Sequence, residues 1–436
     1  MARTDSQRPE PIFPRLSGGP QRMSPAEISS HQRLRLQGAM VEAVARHGFA
    51  GTTLRELVAL AGVSRTTFYE HFENKQDCFL STFDVIVEEL GVRVGEAYRS
   101  GGDFRTQLLA GLGSFMDLAV EEPAAASLAA VDSLTLGAAG VAHRQRAAEA
   151  FEVLVQQSFA HSPSDREVSP ITVRAIVAGI RGVTYRRLRA RKAEELPGTV
   201  PELVDWALGF QQPESEATRR AVAAASVPQA GEPTPQASTV GWEEPPDSRR
   251  SRAELSQRER IVRAAARVVV ERGYEALSIP AISSAAGTSN QTFYEHFSSK
   301  RDAFLDAFEI LSAEALTQSV AAYQRASGGP EALGTGLRGM LEYVAANELF
   351  AHLAYFELPT AGPPALDRAD ATMDVFGNFL RSTPELGPPL PQSIMEAIPS
   401  GIWAVIQKEI TEGRLQTLPE LAPEVARIIV ASFHPA

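Results

Sequence analysis

A nine-residue stretch occurs twice in this chain, and that repeat constrains the fold more than any other feature. Residues 64–72 read SRTTFYEHF and residues 289–297 read SNQTFYEHF, agreeing at seven of nine positions across a spacing of 225 residues. Each copy follows an Ala-Gly pair, Ala61-Gly62 or Ala286-Gly287, and precedes a lysine, Lys75 or Lys300. Upstream the register holds without a gap: Gly48-Phe49 matches Gly273-Tyr274, Leu54 matches Ile279, and Leu57 matches Ile282. Self-similarity at one fixed offset means two copies of a unit rather than one large domain. A chain of 436 residues has room for both.

Within each copy the apolar pattern is helical. Leu36, Ala39, Met40, Ala43 and Val44 recur at the spacing of one helix face, as do Ile261, Ala264, Ala265, Val268 and Val269. Gly48 stops the first helix, being free to adopt positive φ. Thr53 and Glu56 have capping-box spacing and open a second helix with Leu54, Leu57 and Val58 inward. That helix closes at Ala61-Gly62, and Ser64 caps a third. Phe68 and Phe72 lie four apart and share its buried face, so Arg65, Thr66, Thr67 and Tyr69 project elsewhere. Helix, glycine turn, helix is the shape of a helix-turn-helix, which puts the start of its second helix into the DNA major groove.

The net charge of −11 argues against unspecific coating of DNA. Phosphate attraction is local, acting within roughly 8–10 Å, and the stretch before and through the second nine-mer carries Arg249, Arg250, Arg252, Arg258, Arg260, Arg263, Arg267 and Arg272. Cys78 is the single cysteine, so no intrachain disulfide forms, and a structural thiol is expected. No apolar run reaches membrane-spanning length, and the polar, proline-broken N-terminus is not a signal peptide. A soluble cytoplasmic protein is expected.

These motifs together resemble the N-terminal domain of the TetR family of transcriptional regulators. The resemblance covers about fifty residues in each copy, from the apolar first helix ending in Gly-aromatic, through the Thr/Ser-capped second, to AGVSRTTFYEHF and its lysine. The second copy departs at Thr288, where an apolar turn residue is usual, and at Pro280 inside the capping position. The resemblance implies an all-α fold of two tandem units, each a DNA reader followed by a helical regulatory domain. It implies phosphate contacts at Thr53, Ser64, Tyr69, His71 and Lys75, and at Ser278, Ser289, Tyr294, His296 and Lys300. Base contacts are expected from Arg65, Thr66 and Thr67 in one copy and Asn290, Gln291 and Thr292 in the other. Arginine favours guanine, whereas Asn or Gln favours adenine, so unlike half-sites are expected.

The repeat continues weakly beyond the readers: Gly111-Leu112 answers Gly336-Leu337, Leu128-Ala129 answers Leu353-Ala354, and Phe151 answers Phe376. Expected boundaries are a disordered leader over 1–28, readers over 29–78 and 252–303, regulatory domains over 79–210 and 304–436, and a Pro-rich linker over 211–251. Such a linker spans roughly 30–40 Å as a coil, with a helical start left open over residues 214–225. Phe115, Phe151, Tyr343, Phe350, Tyr355 and Phe356 either line a ligand pocket or fill a core. By resemblance the closing helices pair two protomers, which places Ile176, Ile180, Val183, Leu188, Ile398, Ile402, Val405 and Ile406 at an interface. The same spacing also fits an internal core.

The expected function is therefore a sequence-specific DNA-binding regulator, a repressor released by a small hydrophobic ligand. Its partner is double-stranded DNA, and one chain acts as a monomeric pseudo-dimer rather than half of a homodimer. A regulator answering a partner protein, or no ligand, fits the same residues. No catalytic motif, metal-ligand spacing or cofactor signature is present, so no enzyme, metal or cofactor is expected.

Overall fold

Each half opens on a serine that closes a capping box. Ser24 accepts the Glu27 amide while the Glu27 carboxylate accepts the Ser24 amide, and Ser256 and Glu259 repeat the exchange. Free amides at a helix start are satisfied in this way. The box expected at Thr53 is only half formed. Thr53 accepts the Glu56 amide at 3.3 Å, but the Glu56 carboxylate pairs with His47 Nε2 at 3.1 Å.

The computed structural model describes residues 12–13, 24–228 and 256–433. Among them every regular element is helical. The first half runs α1 (Pro25–Gly51), α2 (Leu54–Ala61), α3 (Arg65–His71), α4 (Lys75–Tyr98), α5 (Phe104–Glu121), α6 (Pro123–Ala130), α7 (Gly137–Ala160), α8 (Pro170–Arg189) and α9 (Leu196–Gly209). After α10 (Glu216–Ser226), the second half repeats that order. Its elements are α11 (Gln257–Arg272), α12 (Ile279–Ala286), α13 (Asn290–His296), α14 (Lys300–Gln324), α15 (Gly329–Ala346), α16 (Glu348–His352), α17 (Pro363–Arg381), α18 (Gln392–Thr411) and α19 (Ala422–Ser432). The halves differ after their sixth helix: a 3₁₀ turn, Asp132–Leu136, in the first, and a π turn, Leu353–Glu357, in the second.

Two compact units form, and they do not follow the repeat. The first comprises residues up to Phe151 together with Val183–Val204; the second comprises Glu152–Gly182 and everything from Asp205. In the first, one core runs from the α1 face expected from sequence (Leu36, Met40, Ala43) through Phe68, Phe72 and Phe79 to Leu128 of α6. Ile12 and Phe13 pack on this core. They fall inside the leader expected to be disordered; the rest of residues 1–23 lies outside the described residues. Cys78 is buried there, and desolvation pushes its thiol up to about 12, so it carries no thiolate at neutral pH.

The second unit holds α8 as far as Gly182, the end of α9, and both closing helices of the second half, α18 and α19. Ala175 of α8, Val405 of α18 and Ile428 of α19 form one buried cluster. Helices α8 and α18 cross at backbone distance: a Cβ added at Gly401 would lie 2.6 Å from the Ala175 carbonyl oxygen, and one at Gly179 3.0 Å from that of Ala397. Only glycine fits such a crossing. Trp206 Nε1 donates to Ser432 Oγ at 2.8 Å, adding a tie between α9 and α19. Ile176, Ile398, Ile402, Val405 and Ile406 are buried in this unit, with Ile180 half-buried; Val183 and Leu188 are buried in the first unit.

The expected linker over 211–251 begins with an ordered helix. In α10 the small residues Thr218, Ala221 and Ala225 share one buried face. That face packs against α15, where a Cβ at Gly334 would lie 2.2 Å from the Ala221 carbonyl oxygen. Arg338 donates to the Ala225 carbonyl at 3.0 Å, and Arg427 pairs with Glu214 at 2.8 Å. Composition suggested a linker because an alanine-rich face that buries well has the same letters as one that does not. Residues 229–255 of it lie outside the described residues.

Candidate nucleic-acid interface

The third helix of each half is held from both ends. Ser64 Oγ accepts the Thr67 amide at 3.0 Å, and Ser289 does the same for Thr292. Phe68 and Phe293 are fully buried on the inner side, each meeting the next aromatic edge-on (5.5 Å to Tyr69, 5.7 Å to Tyr294). Gly62 and Gly287, both left-handed with φ near +60°, make the turn between second and third helices. At the far end Arg33 donates to the His71 carbonyl at 3.3 Å and lies over the Phe72 ring; Arg258 lies over Phe297 and pairs with Asp306.

What remains outward on these seven-residue helices is a polar face. In α3 it comprises Arg65, Thr66, Tyr69 and Glu70; in α13, Asn290, Gln291, Tyr294, Glu295 and His296. Tyr69 and Tyr294 are 52% and 60% exposed, too much for large rings without a partner surface to be core. Arg65 lies over the Tyr69 ring, 5.9 Å from its centroid. Thr67 and Thr292, expected among the base readers, are half-buried, with hydroxyls 3.0 Å from the capping serines. Their hydrogen-bonding capacity serves the cap first. Glu70 and Glu295 were missed by sequence reasoning, although they stand one turn beyond Thr66 and Gln291 and so share their face.

Several expected phosphate contacts are placed otherwise. Lys75 Nζ donates to the Phe49 and Thr52 carbonyls at 2.7 and 2.9 Å and sits over the Phe49 ring; burial lowers its pKa. Lys300 Nζ repeats this with Leu277 at 2.6 Å, Tyr274 at 3.4 Å and the Tyr274 ring. Both lysines hold the turn between the first two helices of their reader, where open carbonyls need donors. Thr53 and Ser278 cap the second helices and remain exposed. His71 is half-buried with Nε2 3.4 Å from Gln32 Oε1, whereas His296 is exposed.

The arginine run ahead of the second nine-mer is likewise partly structural. Arg258 braces α13 as above, Arg267 donates to the Ala285 carbonyl at 3.4 Å, and burial lowers the pKa of Arg263 and Arg267. Arg249, Arg250 and Arg252 lie outside the described residues. The second reader is also less well satisfied inside. Ser283 and Thr288 bury hydroxyl oxygens without a partner, where the first half has Val58 and Val63. Each such group costs about 1–3 kcal/mol.

The aromatic residues expected at a pocket are packed in separate pairs. Tyr343 donates to the Leu311 carbonyl and to Glu314, and meets Phe350 edge-on; Tyr355 is stacked on Trp403 at 4.0 Å. Phe356 is half-buried beside His352, and Phe115 meets Phe151 edge-on at 6.3 Å. No helix among the described residues is long and apolar enough to cross a membrane.

Comparison with known families matches the sequence twice to the bacterial regulatory proteins of the tetR family, over residues 39–82 and 261–307. Both matches contain the nine-mer and its capping serine. The fold is similar to the transcriptional regulator FadR from Bacillus subtilis, solved with stearoyl-CoA, at 14% identity and a TM-score of 0.36 over 40% of this chain and 96% of that one. It is also similar to a TetR family transcription regulator from Marinobacter aquaeolei VT8, at 19% identity and a TM-score of 0.34, over 41% of this chain and 97% of that one. A comparison with curated proteins gives no match. The matched family is one of bacterial regulatory proteins. The chain is a tandem TetR-like protein, a DNA-binding transcription regulator that carries two tetR-family readers in one polypeptide.

Proposed function

We propose that this regulator is a repressor that binds one operator with two unlike half-sites, acting as a pseudo-dimer within a single chain. The observation that carries the reading is the difference between the two outward faces: Arg65-Thr66 on α3 against Asn290-Gln291 on α13, on otherwise equal scaffolds. A bidentate arginine on guanine, or an amide side chain on adenine, is worth about 1–3 kcal/mol of discrimination. Glu70 and Glu295 accept but do not donate, so each half also favours cytosine, whose N4 donates into the major groove. Ser64, Ser289, Tyr69, Tyr294, Thr53, Ser278 and the exposed His296 are left to position the readers on phosphate. Lys75, Lys300 and His71 support the readers from within.

The pseudo-dimer part draws support from the α8–α18 crossing, which sets a closing helix of one half against its counterpart from the other. Release by a small apolar molecule rests on the family resemblance. A ligand that fits one arrangement of the readers shifts the population away from the other. The boundaries we propose are readers over 29–78 and 252–303, with α10 belonging to the second regulatory domain rather than to a linker.

The test combines solution mass with binding of the full chain to duplex DNA. The expected mass is near 47.0 kDa. Arg65→Ala should weaken binding about 5- to 150-fold and relax preference at one base pair of one half-site only. A mass of twice that value removes the pseudo-dimer, and equal relaxation in both half-sites removes the assignment of α3 to one of them.

A further inference from the structure

The turn between α11 and α12 is held at one residue from two sides. Lys300 Nζ, inside the reader, takes the Tyr274 carbonyl at 3.4 Å. The Tyr274 amide donates to Glu357 Oε2 at 2.8 Å, and Glu357 belongs to the regulatory domain. A charged acceptor on a backbone amide is among the stronger hydrogen bonds available. Its other oxygen lies 3.4 Å from His352 Nε2.

Glu357 ends the π turn Leu353–Glu357, a geometry that is rare and clusters at functional positions. The turn is itself fixed to a closing helix. Gln407 of α18 donates to the Tyr355 carbonyl at 2.7 Å, and Trp403 of α18 stacks on the Tyr355 ring. A continuous path of packed groups therefore runs from α18, through the π turn, to the turn that carries α12 and then α13.

Among the described residues the first half shows no equivalent tie. Asp132 stands 225 residues before Glu357 and is also acidic, but it is one methylene shorter and sits on a 3₁₀ turn. Its carboxyl is hydrogen-bonded with Ser127 of the preceding helix, and burial pushes it up to about 6. Phe49, the counterpart of Tyr274, has its carbonyl held by Lys75 as in the second half.

We infer that Glu357 is a positioning residue through which the second regulatory domain sets the angle of the second reader, and that the first reader has no such connection. The inference rests on the DNA-binding reading above. A change in the regulatory core around Tyr355 reaches α13 by way of this carboxylate, alongside the packing of α11 on the same π turn, and does not reach α3 by the carboxylate route.

The test uses the full chain, the duplex it enriches from random DNA, and two derivatives with one half-site scrambled. The half-site weakened by Gln291→Ala is that of α13. Glu357→Ala should lose about ten-fold on the duplex keeping only that half-site, as expected for one charge-assisted hydrogen bond, and change little on the other. Glu357→Gln keeps a carbonyl for the Tyr274 amide and should bind like the parent. Equal loss on both duplexes, no loss on either, or a glutamine variant as weak as the alanine one overturns the inference. Amide hydrogen exchange over residues 273–278 reads the tie without DNA: protection should fall in Glu357→Ala and persist in Glu357→Gln. If no duplex is enriched, the DNA reading fails on its own, and unchanged protection in Glu357→Ala still overturns the tie.

Discussion

Phe68→Ala should cost the first reader about 3–5 kcal/mol, the usual penalty for emptying a fully buried aromatic site. That is a large part of the 5–15 kcal/mol that holds a typical domain together. Phe68 has no exposed surface and sits at the meeting of α1, α2 and α4, with Phe72 5.7 Å away. The second reader has the same arrangement around Phe293, at 5.8 Å from Phe297. It starts from a weaker core, because the Ser283 and Thr288 hydroxyls are buried without partners. Phe293→Ala is therefore expected to unfold its reader at lower denaturant than Phe68→Ala unfolds the first. Urea titration of both variants, with half-site binding as second readout, checks this. Each variant should lose one half-site and keep the other; simultaneous loss of both from either variant contradicts two separately folded readers.

The second large effect concerns the α8–α18 crossing. Gly→Ala inside a helix ordinarily stabilises by about 0.5–1 kcal/mol, since glycine loses the most backbone entropy on folding. Gly91 of α4 has open space where its Cβ would stand, so Gly91→Ala should show that gain. Gly401→Ala should reverse the sign. Its Cβ would lie 2.6 Å from the Ala175 carbonyl oxygen, a backbone atom that cannot swing aside. Separating the two helices to make room is expected to cost about 1–3 kcal/mol net. Opposite shifts of the urea midpoint for the two variants are the expected result; a gain at Gly401 would mean that the helices do not meet there.

Much of this architecture was legible before any coordinates, for specific reasons. The readers were legible because their constraints are local: glycines that need positive φ, serines that cap, and two phenylalanines four apart on one face. What escaped sequence reasoning depends on partners distant in the chain. Lys75 and Lys300 look like phosphate ligands until their ammonium groups are placed against the carbonyls 26 and 23 residues upstream. A helical start over residues 214–225 fits the sequence, but nothing local says that Ala221 and Ala225 are buried rather than solvated, and their partner Gly334 lies more than a hundred residues away. Position alone marks Thr67 and Thr292 as readers, while their hydroxyls already serve a cap. Glu357 carried no signal at all, since a glutamate that accepts a backbone amide across 83 residues has no sequence pattern.

Unequal readers are also the physical content of the duplication. In a symmetric dimer one substitution alters both half-sites, so the two preferences cannot vary separately. In this chain position 65 and position 290 are separate residues, and the tie at Glu357 differs from its counterpart at Asp132. The two halves can therefore differ in what they read and in how they are coupled to the regulatory domains.

The most direct test is selection of duplexes from random DNA by the full chain. The expected product is one bipartite site with unlike halves, in which Arg65→Ala and Gln291→Ala each relax a different half. A perfect palindrome bound equally by both readers, relaxed symmetrically by either substitution, would contradict it.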